Sequence, residues 1–319
     1  MSTKVRLKGL APAEYVHPSD SEALASLKSV PGAAALVRKI NEVGFDRLLT
    51  LESMANKIRV TPHQFPELYR LFKESMEVLD ICTHVDLYIE QDFSLNAYAA
   101  GVEMPHVTIT SELVNQFGPD ELQFVIGHEL GHIQCQHILY HQIGRFLPRI
   151  MALVGNATLG LGALVGTGLE VALYDWIRKS EFSADRAGLL TCQDPEVARK
   201  AFCRLAGVPS GWFEKLNLAE IQRQVEDFQH LVEADSVHRL YRFLGQMWNT
   251  HPWIIIRINS LLQWIDGGSY HRILRKRQRL LAANTSTAVC ECGEPIEEGS
   301  YYCLFCGRRV AKGHGTEVR

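Results

Sequence analysis

Hydrophobic positions recur at helical spacing over most of the chain. One apolar stripe follows Thr61-Pro62-His63-Gln64, where Thr at the N-cap, Pro at the first helical position and Gln at the third predict a capping box. Its members fall at positions i, i+3, i+4, i+8 and i+11, which share one face of a helix: Leu68, Leu71, Phe72, Met76 and Leu79. Similar start signals occur at Ser19 or Asp20, at Pro119 and at Asp194-Pro195. The pattern predicts a mostly helical protein.

Two short runs, residues 85–89 and 107–110, have the alternation and composition of strands. The turn-rich segment Asn96-Ala97-Tyr98-Ala99-Ala100-Gly101 separates them. Residues 107–110 are expected to bind an extended peptide by strand addition. The fold class predicted from these elements is α+β, predominantly helical, with a small curved sheet.

The helix predicted to begin at Pro119 carries His128-Glu129-Leu130-Gly131-His132. Residues four apart in a helix lie about 40° from each other around the axis, so both histidines can point at one ion. Neutral imidazole suits zinc, and Glu129 beside them can take a proton from water held by the metal. The alternative, two surface histidines, is disfavoured because apolar residues surround the motif: Phe124, Val125, Ile126, Leu130 and Ile133.

A catalytic zinc needs a third protein ligand and an open position. The metzincin layout fails, because Cys135 and Ile138 stand where it requires Gly and His. On a continued helix, His137 and His141 lie about 180° and 140° around the axis from His128, so they are predicted to face outward. Cys135 shares the ligand face and is predicted to pack rather than bind metal.

The segment Glu181-Phe182-Ser183-Ala184-Asp185 offers a better third ligand. On a helix, the small residues Ala184 and Gly188 share a face with Glu181 and allow a second helix to approach closely. Glu181 then reaches the zinc, and Asp185, one turn later, accepts the free N–H of a ligating histidine. The alternative is an exposed acidic pair that offsets neighbouring basic residues.

The order of these motifs resembles the gluzincin peptidases related to HtpX and the CAAX prenyl endopeptidases. The resemblance covers roughly residues 60–265. It rests on HELGH, the later ExxxD, residues 96–101 before a strand, and Thr250-His251-Pro252 followed by Arg257-Ile258. It implies a zincin-like metallopeptidase domain with His128, His132 and Glu181 as zinc ligands, Glu129 as the base and Asp185 as an orienting partner.

The resemblance also implies that His251 and Arg257 return to the active site, where either steadies the oxyanion. Alternatively, His251 occupies the open coordination position and keeps the enzyme latent, or the two are a helix start and a surface arginine. Asn96 is expected to clamp the substrate backbone. The expected activity is zinc-dependent endopeptidase cleavage of polypeptides in protein quality control. The alternative is a catalytically weak zinc scaffold that binds unfolded or partner proteins.

Four of the eight cysteines crowd near the end of the chain as Cys290, Cys292, Cys303 and Cys306. Two short cysteine knuckles at this spacing predict a structural zinc ribbon, whose metal supplies much of its folding free energy. The alternatives are four unrelated thiols or two disulfides. A ribbon is a candidate surface for a protein partner. Two zinc ions are therefore expected, one catalytic and one structural.

The predicted domains are an N-terminal helical region over residues 1–60 that packs on the peptidase domain, the peptidase domain at 61–283, and a linker with the ribbon at 284–319. A net charge of −3 gives no reason to expect a nucleic-acid partner. The remaining cysteines are isolated and no leader is evident, so the cytoplasm is the expected location.

Residues 150–169 form an uncharged run of 20 residues, which is long enough for a transmembrane helix. A single crossing would hold His132 and Glu181 about 30 Å apart across the bilayer, although both are expected at one ion. A buried or cleft-lining hairpin is therefore favoured, with peripheral membrane contact as the alternative.

Overall fold

The computed structural model of the protein describes residues 4–155, 168–234 and 253–285. The α-helices in these ranges are α1 (Pro18–Ser29), α2 (Ala33–Val43), α3 (Phe45–Asn56), α4 (Pro66–Val78), α5 (Ser111–Gln116), α6 (Pro119–Gln134), α7 (Ile138–Gly155), α8 (Leu169–Cys192), α9 (Pro195–Leu205), α10 (Leu218–Ala234), α11 (Ile254–Asp266) and α12 (Ser269–Thr285). Short 3-10 helices occur at Pro12–Glu14 and Ser210–Lys215. The prediction of a predominantly helical chain is confirmed for these ranges.

One four-stranded mixed sheet accompanies the helices. Its strands are β1 (Ile58–Arg59), β2 (Asp86–Glu90), β3 (Ala97–Ala100) and β4 (His106–Thr110), in the spatial order β1-β2-β4-β3. β2 and β4 are parallel, and the other pairs are antiparallel. β4 lies between β2 and β3, so the prediction that residues 107–110 add a substrate strand is wrong. β3 is the strand at that edge.

Several helix starts follow their sequence signals. The Glu121 side chain accepts a hydrogen bond from the Gly118 N–H at 2.8 Å at the start of α6, and Asp194 caps α9. α1 begins at Pro18 after His17, whose ring accepts from the Ser19 N–H, so Asp20 is not the cap. The side chain of Asp20 is instead buried.

Two local predictions are wrong. Thr61 to Gln64 forms a bridged turn, and α4 begins only at Pro66, after Phe65 at φ 62°. The Thr-Pro start signal is therefore used for a turn rather than for a helix. The segment predicted as turn-rich forms β3, because pairing with the buried β4 supplies the hydrogen bonds that its alanines would not favour alone.

Helices α6 and α8 form the most extensive helix pair in the described ranges. Small residues lie at their contact. A Cβ on Gly131 would stand 2.5 Å from the Ala187 Cβ, and one on Gly188 would stand 2.8 Å from the Phe124 carbonyl oxygen. The prediction that the Ala184 and Gly188 face permits close approach is confirmed. A further apolar cluster joins the N-terminal helices to α7 and α8: Ala23, Leu27, Leu36, Ile40, Leu49, Ile143, Leu173, Trp176 and Ile177.

Gly131→Ala is expected to destabilise the fold by about 1–3 kcal/mol, because an added methyl group forces α6 and α8 apart. Chemical denaturation of the metal-free chain measures the loss. Gly211→Ala is the matched control, since a Cβ there meets no atom of the described residues within 4 Å. Equal stability of the two variants would contradict the close packing of α6 on α8.

Contacts group Met1–Tyr270 into one compact unit, and a second unit begins at His271. The predicted domain boundaries stay predictions. α7 extends to Gly155 and α8 starts at Leu169, so most of the 150–169 run lies outside the described residues. Among the helices that are described, none combines the length and apolar character needed to cross a bilayer. Peripheral membrane contact stays a prediction.

Candidate metal centre

Three buried side chains converge where α6 crosses α8. His128 and His132 on α6 place their Nε2 atoms 3.2 Å apart. Glu181 on α8 approaches both rings, with its carboxylate oxygens 3.5 Å from His128 Nε2 and 3.3 Å from His132 Nε2. The potential donor atoms of all three residues lie within 4.8 Å of one another. The interpretation of Glu181 as part of an exposed acidic pair is excluded, because its side chain is fully buried.

Glu129 lies beside this group, with Oε1 4.0 Å from His128 Nε2. Two cavities meet at Glu129. One, of about 340 Å³, is also lined by His132, Glu181 and the whole of β3. The other, of about 370 Å³, is also lined by His128 and Arg257. The side chain of Glu129 therefore borders both cavities.

Asp185 contacts the other ring nitrogen of His128, with Oδ1 3.0 Å from Nδ1. Arg257 on α11 binds the same carboxylate through two nitrogens, at 2.5 and 2.9 Å, and reaches Glu181 at 3.6 Å. Burial favours the neutral acid, but the charge and hydrogen bonds of Arg257 outweigh it and hold the pKa of Asp185 below its ordinary value. Asp185 is thus an anionic hydrogen-bond acceptor for His128.

The electrostatics of the cluster favour a cation. Burial disfavours a charged imidazole at His128, yet hydrogen bonds and charge from Asp185 and Glu181 reverse the effect and raise its pKa. A positive charge is therefore stabilised between buried carboxylates. Two imidazole nitrogens and a carboxylate are the donor set of a catalytic zinc site, and a divalent ion supplies that positive charge without a proton.

His137 and His141 do not face outward as predicted. α6 ends at Gln134 and Gln136 adopts φ 61°, so the chain turns back before α7 begins. His137 is buried with its Nδ1 3.0 Å from His132 Nδ1, and the His141 Nε2 lies 2.7 Å from Ser180 Oγ. Cys135 lies at the end of α6 and contacts the Tyr15 hydroxyl.

Asp20 and His137 are polar residues near the cluster that the sequence did not reveal as a pair. His137 Nε2 lies 3.1 Å from Asp20 Oδ2. Burial lowers the pKa of His137, which favours its neutral ring. Burial favours neutral Asp20, but hydrogen bonds from His137, Ser183 and Trp176 keep its pKa below the ordinary value. No breaker residue marks the turn at Gln136, and Asp20 lies more than a hundred positions away in sequence.

The other predicted site residues divide into two groups. Asn96 lies in the described ranges, directly before the start of β3, where its carbonyl accepts a hydrogen bond from the Thr110 N–H at 3.0 Å. The residue lines both cavities. His251 lies outside the described residues, as do the predicted ribbon cysteines: Cys290, Cys292, Cys303 and Cys306. Their roles stay predictions.

Comparison with known proteins identifies the family. The model of Peptidase family M48 matches residues 62–265, which is more than half of the chain. The chain belongs to peptidase family M48. M48 membership implies a polypeptide substrate and agrees with the mostly helical α+β architecture around a histidine cluster.

Relatives of this M48 chain include both plant and bacterial proteins. It is 26% identical over 274 residues to the plastoglobule-localized metallopeptidase 48, chloroplastic, of Arabidopsis thaliana, covering 85% of this chain and 78% of the relative. It is 27% identical over 242 residues to a protease HtpX homolog of Tropheryma whipplei, covering 67% and 77%. No solved structure matches the chain.

Proposed function

We propose that the protein is a zinc-dependent endopeptidase whose metal is held by His128, His132 and Glu181. The observation that carries the proposal is the convergence of these three buried donors within 4.8 Å, next to a carboxylate that opens to two cavities. Membership of the M48 peptidases supports the same chemistry. When bound, zinc supplies a Lewis acid that polarises the scissile carbonyl and acidifies a water molecule.

Glu129, Asp185 and Arg257 have different roles in this reaction. Glu129 accepts the proton of the attacking water and delivers it to the leaving amine, since it is the carboxylate beside the ligands that both cavities reach. Asp185 fixes the ring of His128 through Nδ1, and Arg257 in turn fixes Asp185. Arg257 also lines the second cavity, where its charge faces a developing oxyanion.

We infer an extended polypeptide as the substrate, as presented by unfolded proteins in quality control. β3 lies at the sheet edge, and all four of its residues line the 340 Å³ cavity beside Glu129. An extended peptide paired with β3 would pass the cluster with alternate side chains on opposite faces. Asn96, directly before β3, lines both cavities and would contact the backbone of such a peptide.

Removal of the metal tests the proposal. Ortho-phenanthroline is expected to abolish cleavage of a fluorescently labelled unfolded protein by the purified chain, and added zinc is expected to restore it. The meta isomer, which does not chelate, is the matched control and is expected to leave the rate unchanged. Cleavage that persists after zinc has been removed below detectable levels would contradict a metal-dependent mechanism.

A further inference from the structure

A buried chain of hydrogen bonds connects the metal helix α6 to the N-terminal helix α1. His132 Nδ1 and His137 Nδ1 are 3.0 Å apart, and His137 Nε2 lies 3.1 Å from Asp20 Oδ2. Each of the three residues is at most 5% exposed. Contacts of this length between buried polar atoms are hydrogen bonds, and each ring nitrogen in them is either a donor or an acceptor.

The direction of these bonds follows from the orientation of His132. Its Nε2 points into the cluster, 3.3 Å from Glu181 Oε1, and must present a lone pair to a metal. The proton of His132 is then on Nδ1 and is donated to His137 Nδ1. His137 consequently carries its own proton on Nε2 and donates it to Asp20. One set of tautomers therefore gives a hydrogen-bond or metal partner to both ring nitrogens of His132 and of His137.

Asp20 is held in turn by α8, the helix that carries Glu181. Its Oδ1 accepts from Trp176 Nε1 at 2.9 Å, and its Oδ2 accepts from Ser183 Oγ at 2.6 Å. With the bond from His137, these donors fix the carboxylate on both oxygens. The position of His132 therefore depends on residues from α1, α8 and the turn after α6.

The two histidines of HELGH have different supports. The Nδ1 of His128 contacts the carboxylate of Asp185 directly, whereas the Nδ1 of His132 contacts a second imidazole, which in turn contacts the carboxylate of Asp20. We infer that His137 and Asp20 are positioning residues that fix the tautomer and ring orientation of His132 for metal binding. This inference rests on the proposed zinc site. Loss of such a partner lowers metal affinity by about 10- to 100-fold.

A competing arrangement uses the same atoms. Potential donors of His132, His137 and His141 also lie within 4.8 Å of one another. A metal that took the Nδ1 lone pairs of both His132 and His137 would remove the hydrogen bond between the two rings, and His132 would lose its connection to Asp20. The hydrogen-bonded arrangement engages both nitrogens of His137 and both oxygens of Asp20.

Zinc affinity of the full chain, measured by competition with a chromogenic chelator, tests the inference. The zinc ion that is lost in Glu181→Ala is the one held by the cluster of His128, His132 and Glu181, and its affinity is the quantity compared. His137→Phe is expected to weaken zinc binding at that site by about 10- to 100-fold. His137→Gln is expected to stay within about threefold of the wild type, because its amide oxygen accepts from His132 and its NH2 donates to Asp20.

Asp20→Asn gives a second test that leaves His137 in place. It is expected to weaken zinc binding by about tenfold, since an amide offers one acceptor oxygen and no charge. The matched control is His106→Phe, which removes another buried histidine, bonded to Ser53 rather than to the cluster. It is expected to leave zinc affinity unchanged, with thermal unfolding of each metal-free variant reporting any general loss of stability.

Three outcomes would overturn the inference: equal zinc affinity in His137→Phe and wild type, equal losses in His137→Phe and His137→Gln, or wild-type affinity in Asp20→Asn. If His137→Phe does not fold, the zinc affinities of His137→Gln and Asp20→Asn still test the inference, because only the second is expected to fall by about tenfold. Failure of the proposed function has a separate signature, because Glu181→Ala would then leave zinc binding intact.

Discussion

Glu129→Gln is expected to lower peptide-bond hydrolysis by about 100- to 10,000-fold while zinc content stays at the wild-type level. The amide has the shape of the carboxylate but accepts no proton from water. Zinc retention is expected because the donors of the cluster are His128, His132 and Glu181, not Glu129. Cleavage of a labelled unfolded protein and metal analysis of the same preparation measure the two effects together.

Glu112→Gln on α5 is the matched control, because Glu112 binds Gln116 and lines neither cavity. It is expected to cleave at the wild-type rate. Wild-type activity in Glu129→Gln would contradict the assignment of the base. If the wild type and Glu129→Gln both bind zinc and unfolded protein and neither cleaves, the alternative of a zinc scaffold takes the place of the peptidase.

Glu181→Ala is expected to remove the cluster zinc. This loss of metal affinity is larger than the decrease of about 10- to 100-fold that follows removal of a ligand's hydrogen-bonding partner. The carboxylate is the anionic member of the donor set, and it is fully buried between the two imidazoles and Arg257. Its loss also removes one of the two buried carboxylates that contact Arg257, the other being Asp185. Peptide cleavage is expected to fall with the metal.

Glu170→Gln, in the first turn of the same helix, controls for the removal of a carboxylate from α8. It is expected to keep both zinc and activity. The predicted ribbon cysteines would hold a second ion. The zinc content of Glu181→Ala is therefore expected to fall by one ion per chain rather than to zero. An unchanged zinc content would contradict the role of Glu181.

The sequence indicated which side chains come together where the geometry is local. His128 and His132 are one turn apart on a helix whose start and apolar surroundings are evident, and Glu181 and Asp185 repeat the spacing on a second helix. Ala184 and Gly188 indicated that these faces approach closely, and α6 packs on α8 at that place. Helical periodicity therefore carried the prediction across two elements.

Prediction failed where the backbone left the regular pattern without a signal. The α6 helix ends at Gln134 and Gln136 takes a left-handed conformation, although neither glycine nor proline occurs there. An ideal helix places His137 on the far side, but the turn brings it to His132. Its partner Asp20 is remote in sequence, and a contact over such a separation depends on the whole fold rather than on local residues.

The sheet shows a similar limit. The alanine-rich segment at β3 has low strand propensity, and its conformation is set by hydrogen bonds to the buried β4. The order of the strands decides which one is at the edge, and sequence periodicity does not reveal that order. Assigning peptide binding to residues 107–110 was wrong for this reason, although those residues do form a strand.

Anomalous diffraction at the zinc edge from crystals of the full chain tests the central claim most directly. A peak is expected about 2.0–2.2 Å from His128 Nε2, His132 Nε2 and a Glu181 carboxylate oxygen. A peak among His132, His137 and His141, or no peak at either histidine group in zinc-loaded crystals, would contradict that claim.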